Sequence, residues 1–363
     1  MKKIKIGVIF GGCSPEHEIS LLSASNILAA LDPKKYEVTP IGIDKTGKWL
    51  LADKNLPMLD VKHPRTIHIN KNVEQEISLV PGKKTKLQCV EAASHPGQLD
   101  VIFPVLHGPL GEDGTIQGLL QFVGIPCVGS GVLASSVCMD KEVSKYLFKQ
   151  LGIPTANFLC FRSYEKETID YQRVIEKLGS PVFVKPANAG SSVGTHKVRD
   201  EEGFYKAIAD AFCYDHKILV EEAIVGREIE VAVLGNEDPR VSVPGEAIPN
   251  DEFYTYKAKY EANGVEFVVP ARIPDSVVSE IQSLAKRAFL GLSCQGMARA
   301  DFFVRGDEVY LSEMNTIPGF TKTSGYPKMW EASGVSNQEL VDELIQLALQ
   351  AHEKNKKLKR NYH

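Results

Sequence analysis

The stretch Arg299-Ala-Asp301-Phe-Phe-Val-Arg-Gly306-Asp307-Glu-Val-Tyr-Leu-Ser-Glu313-Met-Asn315-Thr-Ile-Pro-Gly319 decides how the rest of the chain reads. Two apolar runs of strand type flank a short polar turn carrying Gly306 and Asp307, the local signature of a hairpin. Successive side chains on a strand point to opposite faces, so Arg299 shares a face with Asp301, and Glu313 shares one with Asn315. A loop of odd length, such as residues 306 to 308, sets Asp301 opposite Glu313, whereas an even loop without a bulge sets them on opposite faces. Two carboxylates and an amide oxygen gathered beside an arginine need a cation between them. A donor set of oxygens alone favours a hard ion such as Mg²⁺, which leaves positions for water and phosphate. The plain alternative is a solvated hairpin edge. It ranks second, because the neighbouring Phe, Val, Leu and Met imply a buried hairpin whose polar side needs a reason.

The 363 residues suggest two or three domains at roughly 100–200 residues each. Charged residues at 24% and hydrophobic ones at 43% describe an ordinary globular protein. A net charge of −4 with a pI near 6.2 gives no electrostatic reason to expect nucleic acid. The basic run Lys354 to Arg360 reads as a frayed, solubilising tail. The seven cysteines are scattered, with no C-x-x-C pair, which points to a reducing compartment and away from a disulfide frame or zinc knuckle. The first apolar run stops at Gly11, too short for a signal-peptide core, and no stretch approaches a membrane span. A cytoplasmic protein that binds neither membrane nor nucleic acid is expected.

Residues 4 to 10 read as a buried strand ending at Gly11-Gly12, followed by Ser14 as an N-cap, Pro15 at the first helical position and a helix running toward Pro33. Strand, glycine turn and helix open a doubly wound α/β domain. Gly-Gly-Cys-Ser-Pro-Glu lacks the G-x-G-x-x-G spacing of a dinucleotide fingerprint. Glu16 falls in the first helical turn, where the helix dipole alone would justify it and a ligand ammonium is the sharper alternative. Val101 to Leu106 is another buried strand, ending in His107-Gly-Pro-Leu-Gly-Glu-Asp-Gly114. Ligands bind beyond the C-terminal ends of such strands, so this loop and the Gly11 loop belong to one crevice. A helix from Ala134 to about Leu151 carries Lys141.

The small-residue loop Gly190-Ser191-Ser192-Val-Gly194 follows a strand ending in Lys185. It is suited to covering phosphates with backbone N–H groups while Lys185 supplies a point charge. Further on, Glu221 and Glu228 sit at strand ends beside a chain reversal, where acids can hold the amine of an adenine and the hydroxyls of a ribose. Phe253 to Tyr260 alternates aromatic and basic residues and reads as a lid over a phosphorylated substrate.

In this order the pieces closely resemble the D-alanine–D-alanine ligase family of the ATP-grasp superfamily. The resemblance covers nearly the whole chain, from Gly11-Gly-Cys-Ser-Pro-Glu-His-Glu-Ile-Ser20 through the His107 and Lys185 motifs and Tyr256-Lys-Ala-Lys-Tyr260 to Asn315-Thr-Ile-Pro-Gly-Phe-Thr321. It implies a three-domain architecture of α/β and α+β type: residues 1–129 as the N-terminal doubly wound α/β domain, 130–221 as the central subdomain, and 222–363 as the C-terminal subdomain. ATP would lie between the last two. It also implies that ATP phosphorylates the carboxylate of one D-alanine and that the amine of a second attacks the acyl phosphate, giving the dipeptide used in peptidoglycan and hence in cell shape.

The resemblance distributes the residues as follows. Asp301, Glu313 and Asn315 would hold two Mg²⁺ or Mn²⁺ ions. Lys141, Lys185 and Ser192 would meet the phosphates, and Lys259 the γ-phosphate. Glu221, the backbone of Glu222, Ala223 and Ile224, together with Glu228 and Phe253, would hold adenosine. Glu16, linked to Ser191 and Tyr260 with His107 nearby, would pair with the first ammonium. Arg299 and the N–H of Gly319 would stabilise the oxyanion, and Ser324 would bind the second carboxylate. A homodimer is implied as well.

Ala223 departs from members that carry a tryptophan beside the adenine. Pro109-Leu110 and the insertion at 52–98 place the chain with the longer branch. D-serine and D-lactate ligases are the near alternatives. A non-catalytic nucleotide-binding regulator and a dehydrogenase are the distant ones, disfavoured by the joint presence of Arg299, both lysines and the metal set, and by the missing glycine fingerprint. Related depsipeptide ligases carry Phe or His where this chain has Tyr260. Tyr260→Phe is therefore expected to raise D-lactate incorporation at neutral pH, read as the ester-to-peptide product ratio; an unchanged ratio would refute it.

Overall fold

A computed structural model describes residues 2–51, 59–60, 68–69, 75–80, 86–89, 97–249 and 265–359. The lid reading, with Phe253, Lys259 and Tyr260, lies outside the described residues.

The apolar run at the start forms the strand Ile4–Gly11, which pairs in parallel with Tyr36–Ile43 on one side and Val101–Val105 on the other. Strands covered on both faces read as continuous hydrophobic runs, and this one serves two cores. Ile6, Val8 and Phe10 face the helices His17–Ala30, Gly325–Ala332 and Asn337–Lys356. Ile9 faces the helix Thr115–Val123 through Ile116 and Leu120. Tyr36–Ile43 also carries an antiparallel extension, Trp49–Leu51, then Gln75–Val80, Lys86–Cys89 and Gly97–Gln98, in the segment where the sequence pattern is least informative.

A second sheet of four antiparallel strands orders Phe158–Arg162, Lys217–Glu222, Val182–Pro186 and His196–Val198, backed by the helices Tyr171–Leu178 and Glu201–Ala211. The third sheet is built on Arg227–Gly235, flanked by Gly245–Pro249 on one side and by the hairpin Gly296–Arg305 and Glu308–Asn315 on the other. Its apolar face, including Ile229, Val231, Phe302, Val304 and Leu311, packs on Val277, Ile281 and Leu284 of the helix Asp275–Gly291.

The hairpin turn is an even one, Gly306-Asp307, with Arg305 opposite Glu308. Continued regularly, that register would put Ser312 opposite Asp301 and send Glu313 into the core. A register shift between Asp301 and Phe302 prevents it, leaving Asp301 opposite Glu313 and Arg299 opposite Asn315. Ser312 and Glu313 are both half-buried between the buried Leu311 and Met314, as expected where a β-bulge opposes two residues to one.

Three local expectations change. The first helix starts at His17, not Pro15. Ser14 instead closes a turn, donating to the His107 carbonyl at 2.7 Å and accepting from the Glu16 N–H at 3.2 Å, so Glu16 stands at the N-cap with its carboxylate free to turn away. The helix expected from Ala134 to Leu151 is two, Val132–Met139 and Lys141–Gln150, because Asp140 is extended and its carboxylate caps the second helix by accepting from Val143 N–H at 3.1 Å. Lys141 is therefore the first residue of a helix. The basic C-terminal run stays helical to Lys356, and Lys354 pairs with Glu237 at 2.5 Å.

Asp140 also takes an ion pair from Lys217, which reaches Glu142 at 3.0 Å as well. Asp140→Ala is expected to destabilise the fold by about 0.5–2 kcal/mol through the lost cap, with Asp140→Asn losing less, read as thermal midpoints.

Candidate active site

A cavity of about 440 Å³ lies between the second and third sheets, walled by Lys185 and Glu221 from one and by Glu228, Asp301 and Glu313 from the other. The small-residue loop supplies Gly190, Ser191 and Ser192, and the chain reversal supplies Glu222, Ala223 and Ile224. Ser191 and Ser192 adopt left-handed backbone at φ of 50° and 59°, a conformation uncommon outside glycine that turns successive loop groups one way.

Several charges in this wall meet opposite ones. Lys185 Nζ lies 2.6 Å from Glu221 Oε2, and Lys145 Nζ approaches the other oxygen, Oε1, at 3.3 Å from behind. Burial alone would raise the Glu221 carboxyl, yet the two ammonium groups bring it below the ordinary range. Lys141 Nζ donates to the Ala189 carbonyl at 2.7 Å and stands 3.6 Å from Glu313 Oε2, joining the loop to the hairpin. Arg299 grips Asp301 with two bonds, Nε to Oδ1 at 2.7 Å and Nη2 to Oδ2 at 2.6 Å, and has Glu230 Oε2 3.3 Å from Nε. Register sets Glu230, Asp301 and Glu313 in one row across three strands.

Oxygen donors from Asp301 and Glu313 on one face, with the Asn315 amide oxygen on the same strand as Glu313, fit a hard divalent ion, which would take its remaining ligands from phosphate and water. Asn315 Oδ1 accepts from Ile317 N–H at 3.0 Å and retains a second lone pair. No cluster of three His, Cys, Asp or Glu groups suited to a metal occurs among the described residues.

Beyond the cavity, at the ends of the parallel strands, Ser191 donates its hydroxyl to Glu16 Oε1. The backbones of Gly108 and Gly190 close around the same carboxylate, where an added Cβ would fall 2.5 Å and 2.9 Å from Oε2. His107 is buried, with Nε2 3.1 Å from Ser23 Oγ and Nδ1 3.0 Å from the Ile317 carbonyl, so it ties the first strand crossing to the end of the hairpin. Ser324 Oγ accepts from Thr321 N–H at 3.0 Å and would lie 2.9 Å from a Cβ placed on Gly319. Arg299, Gly319 and Ser324 thus follow one another from the hairpin into the loop after it.

Three groups in this region escape a reading of motifs. Glu112 is buried 3.9 Å from His107 Nδ1, with Oε2 accepting from Gly108 N–H at 3.0 Å, although it stands inside the quoted His107 motif. Glu230 was visible as the partner of Glu228 on one strand face. Lys145, one helical turn beyond Lys141, gives no such signal, because a lysine there normally meets water. Burial would lower the His107 imidazole, but Glu112 and Glu16 raise it above its ordinary value; burial and Glu16 raise Glu112 in turn.

A cavity between two antiparallel sheets, edged by acids and lysines and continued through Ser191 to the Glu16 carboxylate, is the arrangement of an ATP-dependent ligase of ATP-grasp type. Two family models match the chain, one described as D-ala D-ala ligase N-terminus over residues 5–130 and one as D-ala D-ala ligase C-terminus over residues 147–346. The chain is 50% identical over 362 residues to a D-alanine–D-alanine ligase of Oceanobacillus iheyensis, covering 99% of this chain and 98% of the relative. It is 44% identical over 365 residues to D-alanine–D-alanine ligase A of Escherichia coli, covering 99% of each. The solved D-alanine–D-alanine ligase of Coxiella burnetii superimposes with a TM-score of 0.85 at 38% identity, over 98% of this chain and 97% of that one. VanG D-Ala:D-Ser ligase of Enterococcus faecalis does so at 0.81 and 34%, over 96% and 100%. The chain belongs to the D-alanine–D-alanine ligase family.

Glu112→Gln removes the nearest carboxylate from His107 and is expected to move the imidazole titration to lower pH, read by NMR of the ring; an unmoved titration would contradict the pairing.

Proposed function

We infer that the chain joins two molecules of D-alanine into the dipeptide at the expense of ATP, through a D-alanyl phosphate, for peptidoglycan synthesis. The observation that carries this reading is the continuity of the site: the phosphate-facing lysines, the Asp301 and Glu313 pair and the Glu16 carboxylate lie along one path bridged by Ser191.

In this reading Lys141 and Lys185 hold phosphate oxygens, with Ser192 in the loop above them, while Glu221, the backbone of Glu222 to Ile224, and Glu228 hold adenosine. Asp301, Glu313 and Asn315 would hold two Mg²⁺ or Mn²⁺ ions, which supply charge neutralisation at the transferring phosphoryl group. Glu16, kept in place by Ser191, pairs with the first ammonium and aims its carboxylate at the phosphate, and His107 fixes the surrounding loop. Arg299 and the Gly319 N–H meet the oxyanion when the second amine attacks, a contribution commonly worth about 10²–10³ in rate. Ser324 receives the second carboxylate. Phe253, Lys259 and Tyr260, outside the described residues, keep the roles that the resemblance implies for them.

The sheets support units at 1–129, 130–221 and 222–363, since the parallel strands, the four-stranded sheet and the hairpin sheet divide near those limits. A homodimer is supported by Leu119, Phe122 and Leu133, exposed large apolar residues on adjoining helices. A cytoplasmic location is supported by Cys13, Cys127, Cys138, Cys160, Cys213 and Cys294, all free thiols. No described helix is long and apolar enough to cross a membrane.

Phosphate release from MgATP tests the reading. Release is expected with D-alanine and not with L-alanine or without amino acid, and Asp301→Asn should lower kcat by about 10²-fold or more. Release independent of D-alanine, or none, would overturn it.

A further inference from the structure

Lys145 is fully buried on the helix Lys141–Gln150, at 0% exposure, and takes no part in the roles above. A lysine is almost never enclosed this completely without a specific partner. Its ammonium donates to Thr155 Oγ1 at 2.9 Å, stands 5.9 Å from the Phe158 ring centre and approaches Glu221 Oε1 at 3.3 Å. It is absent from the cavity wall, so it does not reach a nucleotide there, whereas Glu221 and Lys185 both line that wall. Glu221 Oε1 is itself buried and has no well-directed hydrogen bond among the described residues.

Lys185 has two claims upon it, the Glu221 carboxylate at 2.6 Å and the phosphates of a bound nucleotide. When it turns to phosphate, Glu221 at 5% exposure would be left as a buried charge with its nearest cation withdrawn. Such a charge either keeps another counter-ion or takes up a proton. A carboxylate only accepts hydrogen bonds, so it takes the exocyclic amine of adenine and repels a carbonyl at the same ring position. A protonated carboxyl donates, and so admits the carbonyl.

The geometry points to Lys145 as the positioning residue that keeps Glu221 ionised while Lys185 serves phosphate, and thereby as a determinant of preference for a purine bearing an amine at position 6. The inference rests on the reading of the cavity as an ATP site and assigns that site its base selectivity. The charged groups facing Lys145 are Glu221 and Lys185 from the second sheet and Glu313 from the hairpin, with Lys141 one turn away on its own helix. Burial lowers the Lys145 ammonium to about 8, so its charge is present below that pH and is lost as pH rises through it.

The test compares ATP with inosine triphosphate, which carries oxygen in place of the amine, at saturating D-alanine. Lys145→Met is expected to reduce the ATP-to-inosine-triphosphate ratio of kcat/KM by about tenfold, mainly through a higher KM for ATP, with KM for D-alanine unchanged. In the unaltered chain KM for ATP should rise as pH passes about 8, and Lys145→Met should lose that rise. An unmoved ratio and pH profile, even with a lower melting temperature, would overturn the inference. If Lys145→Met does not fold, the same substitution is made in a Glu221→Gln background, where no charge needs balancing. There the ratio should match that of Glu221→Gln alone; a further tenfold drop would overturn the inference. Failure of the ATP-ligase reading itself would show separately, as absent D-alanine-dependent phosphate release by the unaltered chain.

Discussion

Strand alternation governs this molecule. The hairpin Gly296–Asn315 must give one face to the helix Asp275–Gly291 and the other to the cavity, and a regular ladder from its even turn would put Glu313 on the wrong one. The bulge opposite Asp301 resolves the conflict locally: Leu311 and Met314 stay in the core while Glu313 turns outward beside Asp301. Because Arg227–Gly235 pairs with Gly296–Arg305 along its length, the same phase brings Glu230 into the row. Core packing and site geometry are thus two faces of one register.

The site is assembled from ion pairs able to exchange partners. Arg299 is shared between Asp301 and Glu230, Lys141 between Glu313 and the Ala189 carbonyl, and Lys185 is held by Glu221. A buried carboxylate beside an arginine or lysine keeps its charge and its aim without a ligand present. Substrate phosphate therefore enters a lattice of compensated charges, in which taking one cation requires that its former partner have a second. Lys145 beside Glu221 occupies such a second place.

What the sequence made legible follows from how local each feature is. The hairpin, the buried first strand, the glycine turns and the facing of Arg299 with Asp301 depend on alternation and turn chemistry within a few residues. Asp140 was hidden because an aspartate amid good helix formers gives no sign that Lys217, distant in sequence, will hold it extended. The bulge was visible only as a parity question, since turn length and core demand are set by different parts of the chain. Lys145 was hidden because a lysine one turn from another normally points to water; only the second sheet, folding over it, makes it internal. Residue resemblance, in contrast, could name Glu16 and Ser191 together across 175 positions, a distance no periodicity spans.

The core beneath the first strand has one further implication. Ile6, Val8 and Phe10 share it with Leu340, Val341 and Leu344, so the strand Ile4–Gly11 is covered by the helix Asn337–Lys356, far along the sequence. During translation one face of the N-terminal sheet stays open until the helix Asn337–Lys356 has left the ribosome. Contacts between segments so far apart in sequence are slow to form. Folding of the parallel strands beside Glu16 is thereby coupled to completion of the segment that carries Asp301 and Glu313.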